Sequence, residues 1–225
     1  YKPARERITE FKINWNIISW PGKAWASRVF PDIDPDEAIK KLADAIFDAS
    51  RVSSDDPVAE WDNHNKNLRE KTNWLNSMNF ASLHYDGPGT SLEVGLADDH
   101  EWMGGASESQ NGIICNPNIP SEEVFTTPHA LKVYGKVCST KPLSYQGTLI
   151  EDIQVEFKDG KITNAKSSKG ENVLLKVLDS DEGSRRLGEV ALVPNSSPIS
   201  QSGITFFNTL FDENAASHIA LGQCY

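Results

Sequence analysis

The chain has 225 residues, with 38% hydrophobic and 24% charged side chains, which is enough for a real core and excludes a disordered polymer. Its formal charge of −10, from 22 basic and 32 acidic residues, argues against a nucleic-acid surface, and no apolar run approaches the roughly 20 residues of a membrane-spanning helix. Three cysteines, Cys115, Cys138 and Cys224, stand in no CxxC spacing and read as free thiols, as in a cytoplasmic protein. The chain opens on Tyr1 rather than a methionine, carries no signal-like run and stops at Tyr225, so it reads as a fragment.

In chain order, FKINWNIISW alternates Phe11, Ile13, Trp15 and Ile17 on one face, which predicts a strand ended by Pro21-Gly22, with a helix soon after. DPDEAIKKLADAIFDAS predicts a helix. Asp34 is its cap, Pro35 its first residue and Glu37 the partner in a capping box, with a buried stripe of Ala38, Leu42, Ala45, Ile46 and Ala49. Asp56-Pro57 opens a second helix, whose apolar face is Val58, Trp61, Leu68, Leu75 and Met78, with His64 near that face as a solvated or locally bonded residue. Strands alternating with helices predict an α/β layer for the first 80 or so residues.

After Phe80 the pattern changes. ASLHYDGPGTSLEVGL predicts two strands about an Asp86-Gly87-Pro88-Gly89 turn, KVYGKVCS and TLIEDIQVEF read as extended, and Asp159-Gly160 is a two-residue hairpin signal. A short helix near residues 170–178 interrupts these strands. The fold class is therefore α/β to α+β: residues 1–85 as the remainder of an α/β domain, and 86–225 as a strand-rich mixed domain.

RLGEVALVPNSSPIS places Glu189 inside an apolar strand, sharing a face with Leu187, Ala191 and Val193 by strand alternation. An ionised carboxylate there needs a cation. Arg185, on the same face, and Arg186, on the other, are candidates for a plain salt bridge. In FFNTLFDENAASHIALGQCY, Asp212 reads as a helix cap, Glu213–Leu221 as a short helix ended by Gly222, and His218 as either a core histidine bonded to a carbonyl or a metal ligand. The pair Glu122 and Glu123 in NIPSEEVFTTP reads by itself as solvated; Glu122 and Glu213 are weak candidates for a general base.

Taken together and in order, NIPSEEVFTTP, RLGEVALVPNSSPIS and TLFDENAASHIALGQCY resemble the signature segments of the thermophilic-aminopeptidase family of metallopeptidases. The resemblance extends to ERITEFKINWNIISWPGKAWASRVFPD and to the His-x-Trp-x-Gly-Gly stretch His100 to Gly105. It implies that Glu123, Glu189 and His218 are metal ligands, with Glu189 between two ions, and that Tyr225 is an active-site residue. The family's further ligands, a His-x-Asp pair, are expected downstream of residue 225, and a fragment without them is expected to be impaired. The implied activity is release of amino-terminal residues from peptides by metal-activated water. Zn²⁺, Co²⁺ or Mn²⁺ suits the mixed carboxylate and imidazole set, and the resemblance implies a homodimer.

Two other readings stand beside this one. Glu123 and Glu189 could serve as the two carboxylates of a glycosidase, with tryptophans as sugar platforms and nothing between carboxylates about 5 to 10 Å apart. Alternatively, the chain is a non-catalytic folded fragment in which Glu189 and His218 are structural.

Overall fold

The computed structural model describes residues 2–224. Four helices come first, α1 (Lys2–Thr9), α2 (Lys23–Val29), α3 (Pro35–Ala49) and α4 (Pro57–Met78). Ten strands follow: β1 (Ser82–Gly87), β2 (Thr90–Leu96), β3 (Ser107–Glu108), β4 (Ile114–Cys115), β5 (Val124–Thr126), β6 (Pro128–Cys138), β7 (Leu143–Tyr145), β8 (Thr148–Ile150), β9 (Gln154–Lys158) and β10 (Lys161–Lys166). The chain then forms α5 (Glu171–Leu178), β11 (Leu187–Leu192), α6 (Pro198–Ser202), α7 (Thr209–Asp212), a 3₁₀ turn at Glu213–Ala215, and β12 (His218–Leu221). The class is mixed α and β, as the sequence predicts.

The chain divides into two compact units, each assembled from separated segments. The first takes residues up to Thr72, Met103–Val124 and Val193–Ala216; the second takes Asn73–Trp102, Phe125–Leu192 and the residues from Ser217 onward. The sequence predicts a single cut near Asp86. Return visits of the chain to an earlier unit leave no break in composition, so local pattern does not reveal them.

The first unit is helical and its core grows from α3. Asp34 caps that helix by accepting from the amides of Asp36 and Glu37, worth about 1 kcal/mol, and Pro35 supplies a ready-made first turn. Its buried face of Ala38, Leu42, Ile46 and Ala49 meets Ile199, Phe206, Leu210, Phe211 and Ala215 from the far end of the sequence. Phe206 and Phe211 stack at 4.7 Å between ring centroids, and the Trp25 indole donates to the Phe206 carbonyl at 2.5 Å.

The strand expected over 11–17 does not form. Phe11 adopts φ 53°, and only Ile17 makes an isolated parallel bridge, to Asn118. The facing segment has Pro117 and Pro120, neither of which has an N–H to extend a ladder. The early α/β layer is therefore a set of helices; among the described residues, the first 80 hold no named strand. In α4, Leu68 and Leu75 are buried as expected, while Val58 and Met78 are exposed.

The second unit carries an antiparallel sheet in the order β1-β2-β6-β9-β10. The β1–β2 hairpin closes at Gly87↔Thr90, and the β9–β10 hairpin at Lys158↔Lys161 with Asp159 and Gly160 both at positive φ, the geometry of a primed two-residue turn. A three-stranded sheet, β12-β11-β5, carries the acidic and imidazole side chains of interest.

The predicted terminal helix is a correction. Helical structure stops at Ala215, Ala216 is extended at φ −161°, and His218 opens strand β12. Pairing with β11 satisfies backbone groups of both strands, and that tertiary gain outweighs the helix propensity of ENAASHIAL. Asp212 caps no helix by its side chain; its carboxylate accepts from the amides of Phe206 and Asn208, and Asn208 caps α7. Gly222 takes its left-handed φ of 101° at the end of a strand, with its amide on the Arg186 carbonyl.

Candidate metal centre

Strand β11 contains a bulge. Leu187 pairs with Leu221, but Glu189 pairs with Ala220, so one additional β11 residue fits between consecutive partners. Gly188 occupies this position, where a Cβ would lie 2.3 Å from the Gln223 carbonyl oxygen. Beyond the bulge the register is regular, with Ala191 opposite His218. Glu189, Ala191, His218 and Ala220 thus share a face, and the small alanines leave the two longer side chains to meet diagonally. Glu189 Oε1 lies 3.7 Å from His218 Nε2, both side chains about four-fifths buried.

Glu123 immediately precedes β5, the third strand of the same sheet. Its carboxylate completes a cluster: one ligand atom from each of Glu123, Glu189 and His218 lies within 4.8 Å of the others. The neighbouring arginines turn elsewhere. Arg185 pairs with Asp179 at 2.7 Å, and Arg186 donates to the carbonyls of Ala130 and Asp159. Neither arginine therefore makes the salt bridge to Glu189, whose carboxylate lies beside the His218 imidazole instead.

Glu122 and Glu123 are only 4% and 6% exposed, against the expectation of a solvated pair. Consecutive side chains of an extended segment point opposite ways. Glu122 receives a two-pronged contact from Arg51, Nη1 to Oε1 at 2.5 Å and Nη2 to Oε2 at 3.0 Å. Removing one partner from a pair this buried costs about 3–5 kcal/mol. The Glu122 amide donates to Asn214 Oδ1 at 2.6 Å, and the fully buried Asn214 donates to the Leu210 carbonyl and accepts at its own carbonyl from Ser197.

His64 is neither solvated nor bonded within its helix. Its Nε2 donates to the Ser121 carbonyl at 2.7 Å and lies 3.8 Å from Glu122 Oε1. Burial depresses its pKa below 6.5, the Glu122 charge and the Ser121 contact opposing. The Gly104 of the His-x-Trp-x-Gly-Gly stretch also belongs here, because a Cβ would come within 2.6 Å of the Glu123 carbonyl oxygen. Arg51, Asn214 and this role of Gly104 were not legible as site features. Arg51 follows α3 in an unremarkable SRVSS stretch, and Asn214 sits 92 residues from its partner.

Two carboxylates and an imidazole with converging ligand atoms are the donor set that Zn²⁺, Co²⁺ and Mn²⁺ accept, so the residues fit a divalent ion. A separate surface cavity of about 270 Å³, lined by His84, Tyr85, Asp86, Glu93 and Tyr134 among others, contains none of them. Tyr225 lies outside the described residues.

A family model described as "Thermophilic metalloprotease (M29)" matches residues 1–225. The chain belongs to the thermophilic metalloprotease (M29) family. It is 52% identical over 225 residues to aminopeptidase T of Thermus thermophilus, covering all of this chain and 55% of that relative. It is 50% identical over 211 residues to aminopeptidase 2 of Geobacillus stearothermophilus, covering 94% and 51%. The solved structure titled wild-type AmpT from Thermus thermophilus superposes with a TM-score of 0.93 at 51% identity, over 100% of this chain and 55% of that one. This M29 chain therefore spans about half the length of the relatives it matches.

Proposed function

We propose that the protein carrying this chain is a metal-dependent aminopeptidase, with Glu123, Glu189 and His218 as ligands and Glu189 placed between two ions. The observation that carries the reading is the convergence of these three side chains within 4.8 Å, in a chain of the M29 metalloprotease family. Two carboxylates supply the negative charge a divalent cation needs, and the imidazole must be neutral to offer a nitrogen. Bound there, divalent ions supply a water activated near neutral pH and polarise the scissile carbonyl. Glu122 is excluded as general base by its engagement with Arg51. Tyr225 is proposed as the phenol that donates to the developing oxyanion, by its resemblance to the family's tyrosine.

The substrates are peptides with a free amino terminus, the metals Zn²⁺, Co²⁺ or Mn²⁺, and the assembly a cytoplasmic homodimer; these extend the same reading. The glycosidase alternative asks for two carboxylates about 5 to 10 Å apart, whereas ligand atoms of Glu123 and Glu189 lie within 4.8 Å of one another and of a His218 nitrogen. A leucyl amide assayed with the full-length protein separates the readings. Cleavage that is lost with chelator, restored by Zn²⁺, Co²⁺ or Mn²⁺ and absent in Glu189→Gln supports the aminopeptidase. Chelator-insensitive activity, or none with any of the three metals, defeats it.

A further inference from the structure

We infer that Arg51, Glu122, His64 and Asn214 form a positioning set that aims the Glu123 carboxylate at the metal centre; the inference rests on the metal-centre reading above. The segment 121–123 has little regular structure of its own, since β5 starts only at Val124. It is nevertheless held at every residue. His64 fixes the Ser121 carbonyl, Asn214 fixes the Glu122 amide, Arg51 fixes the Glu122 carboxylate in two places, and Gly104 lets a neighbouring backbone close over the Glu123 carbonyl.

The guanidinium is itself held in place. Arg51 takes φ 60° directly after the cap residue of α3 and lies 5.7 Å over the Trp61 ring. Trp61 Nε1 donates to the Ser50 carbonyl at 2.9 Å, and the His64 ring meets Trp61 edge-on at 5.5 Å. The end of α3 and the first turns of α4 thus present one planar fork to one carboxylate.

A buried ion pair is a poor way to gain stability, because well-packed apolar residues often do as well. What the fork adds is direction, since two parallel contacts fix the carboxylate plane and hence the backbone that carries it. With Glu122 anchored on one side, alternation sends Glu123 to the other, toward Glu189 and His218. A ligand held in advance loses less freedom on binding metal than one that must be gathered from a loop.

The test measures Co²⁺ binding by the full-length protein, through its visible absorption and by calorimetry, in wild type, Arg51→Lys, Glu122→Gln and Leu42→Ala. Outer partners of metal ligands typically govern about 10–100-fold in affinity. Arg51→Lys and Glu122→Gln are each expected to weaken Co²⁺ by that factor and to alter the absorption bands. Leu42→Ala, in the helical core, is expected to lower the Tm while leaving both readouts unchanged. Wild-type affinity and spectrum in both site variants overturn the inference alone; no Co²⁺ binding by wild type overturns the metal-centre reading and the inference with it. Should both site variants lose native circular dichroism, His64→Leu, which removes the Ser121 contact and the nearby approach to Glu122 but leaves the Arg51–Glu122 fork in place, is expected to weaken binding by a smaller factor, and unchanged binding overturns the inference.

Discussion

Glu189 and His218 meet diagonally across two antiparallel strands, Oε1 to Nε2 at 3.7 Å, because a one-residue bulge sets Glu189 opposite Ala220 and His218 opposite Ala191. Straight alternation along β11 would give Glu189 a face, but the bulge decides which partners share it. A charge change at this position is the most direct probe. Glu189→Gln keeps shape and removes one negative ligand, so metal affinity should drop by more than the about 10–100-fold that outer partners govern. Circular dichroism should be native and the Tm without metal near that of wild type, and a metal affinity equal to wild type would remove Glu189 from the centre.

Gly188 is the residue that makes the bulge sterically feasible. A Cβ there would lie 2.3 Å from the Gln223 oxygen, 2.6 Å from its carbonyl carbon and 2.7 Å from the Gly222 oxygen, all backbone atoms with no rotamer to yield. Gly188→Ala is expected to cost about 1–3 kcal/mol, as overpacking does, and to lower the Tm by a few degrees. Because the displaced segment directly follows β12, the strand that carries His218, metal affinity should fall as well. A variant with the wild-type Tm would show that the segment after β12 moves freely.

The acid side of the stability profile should carry a contribution from His64. Burial depresses its pKa below the unfolded value of 6.5, against the pull of Glu122 and with Arg51 and Lys71 adding to the depression. Below pH 6.5 the unfolded chain binds a proton that the folded chain resists, so stability rises with pH in that window. The contribution is fully present above about pH 6.5 and is lost as the pH falls through the folded-state value. Thermal melts of wild type and His64→Leu at pH 7.5, 6.5 and 5.5 should show wild type losing more on acidification; parallel curves would count against a buried neutral imidazole.

What the sequence disclosed and what it hid divide along physical lines. Asp34-Pro35 before a 3.6-residue apolar period, and Asp159-Gly160 between extended runs, are local instructions, and both elements form as read. The helix expected over 213–221 failed because β11 offered His218–Leu221 a pairing that propensity cannot register. The strand expected over 11–17 failed for the converse reason, its neighbour lacking the amides to pair with it. Glu123, Glu189 and His218 were legible only as three motifs in register, whereas Arg51 and Asn214 are ordinary polar residues whose roles exist only through contacts 71 and 92 positions away.

Tyr85, on β1, presents a simpler case of a polar group without a partner. Its hydroxyl is buried with no hydrogen-bond partner among the described residues, and burial pushes its pKa up to about 12. An unsatisfied buried hydroxyl costs on the order of 1–3 kcal/mol relative to one that is bonded, so removing it should cause no loss. Tyr85→Phe is expected to match or exceed the wild-type Tm at pH 7. Between pH 10 and about 12 the unfolded tyrosine gives up a proton that the folded one keeps, so this part of wild-type stability declines with rising pH. The variant lacks that group, and its advantage should widen from pH 9 to pH 10.5. A Tm lower than wild type at pH 7 would mean that the hydroxyl has a stabilising partner in solution.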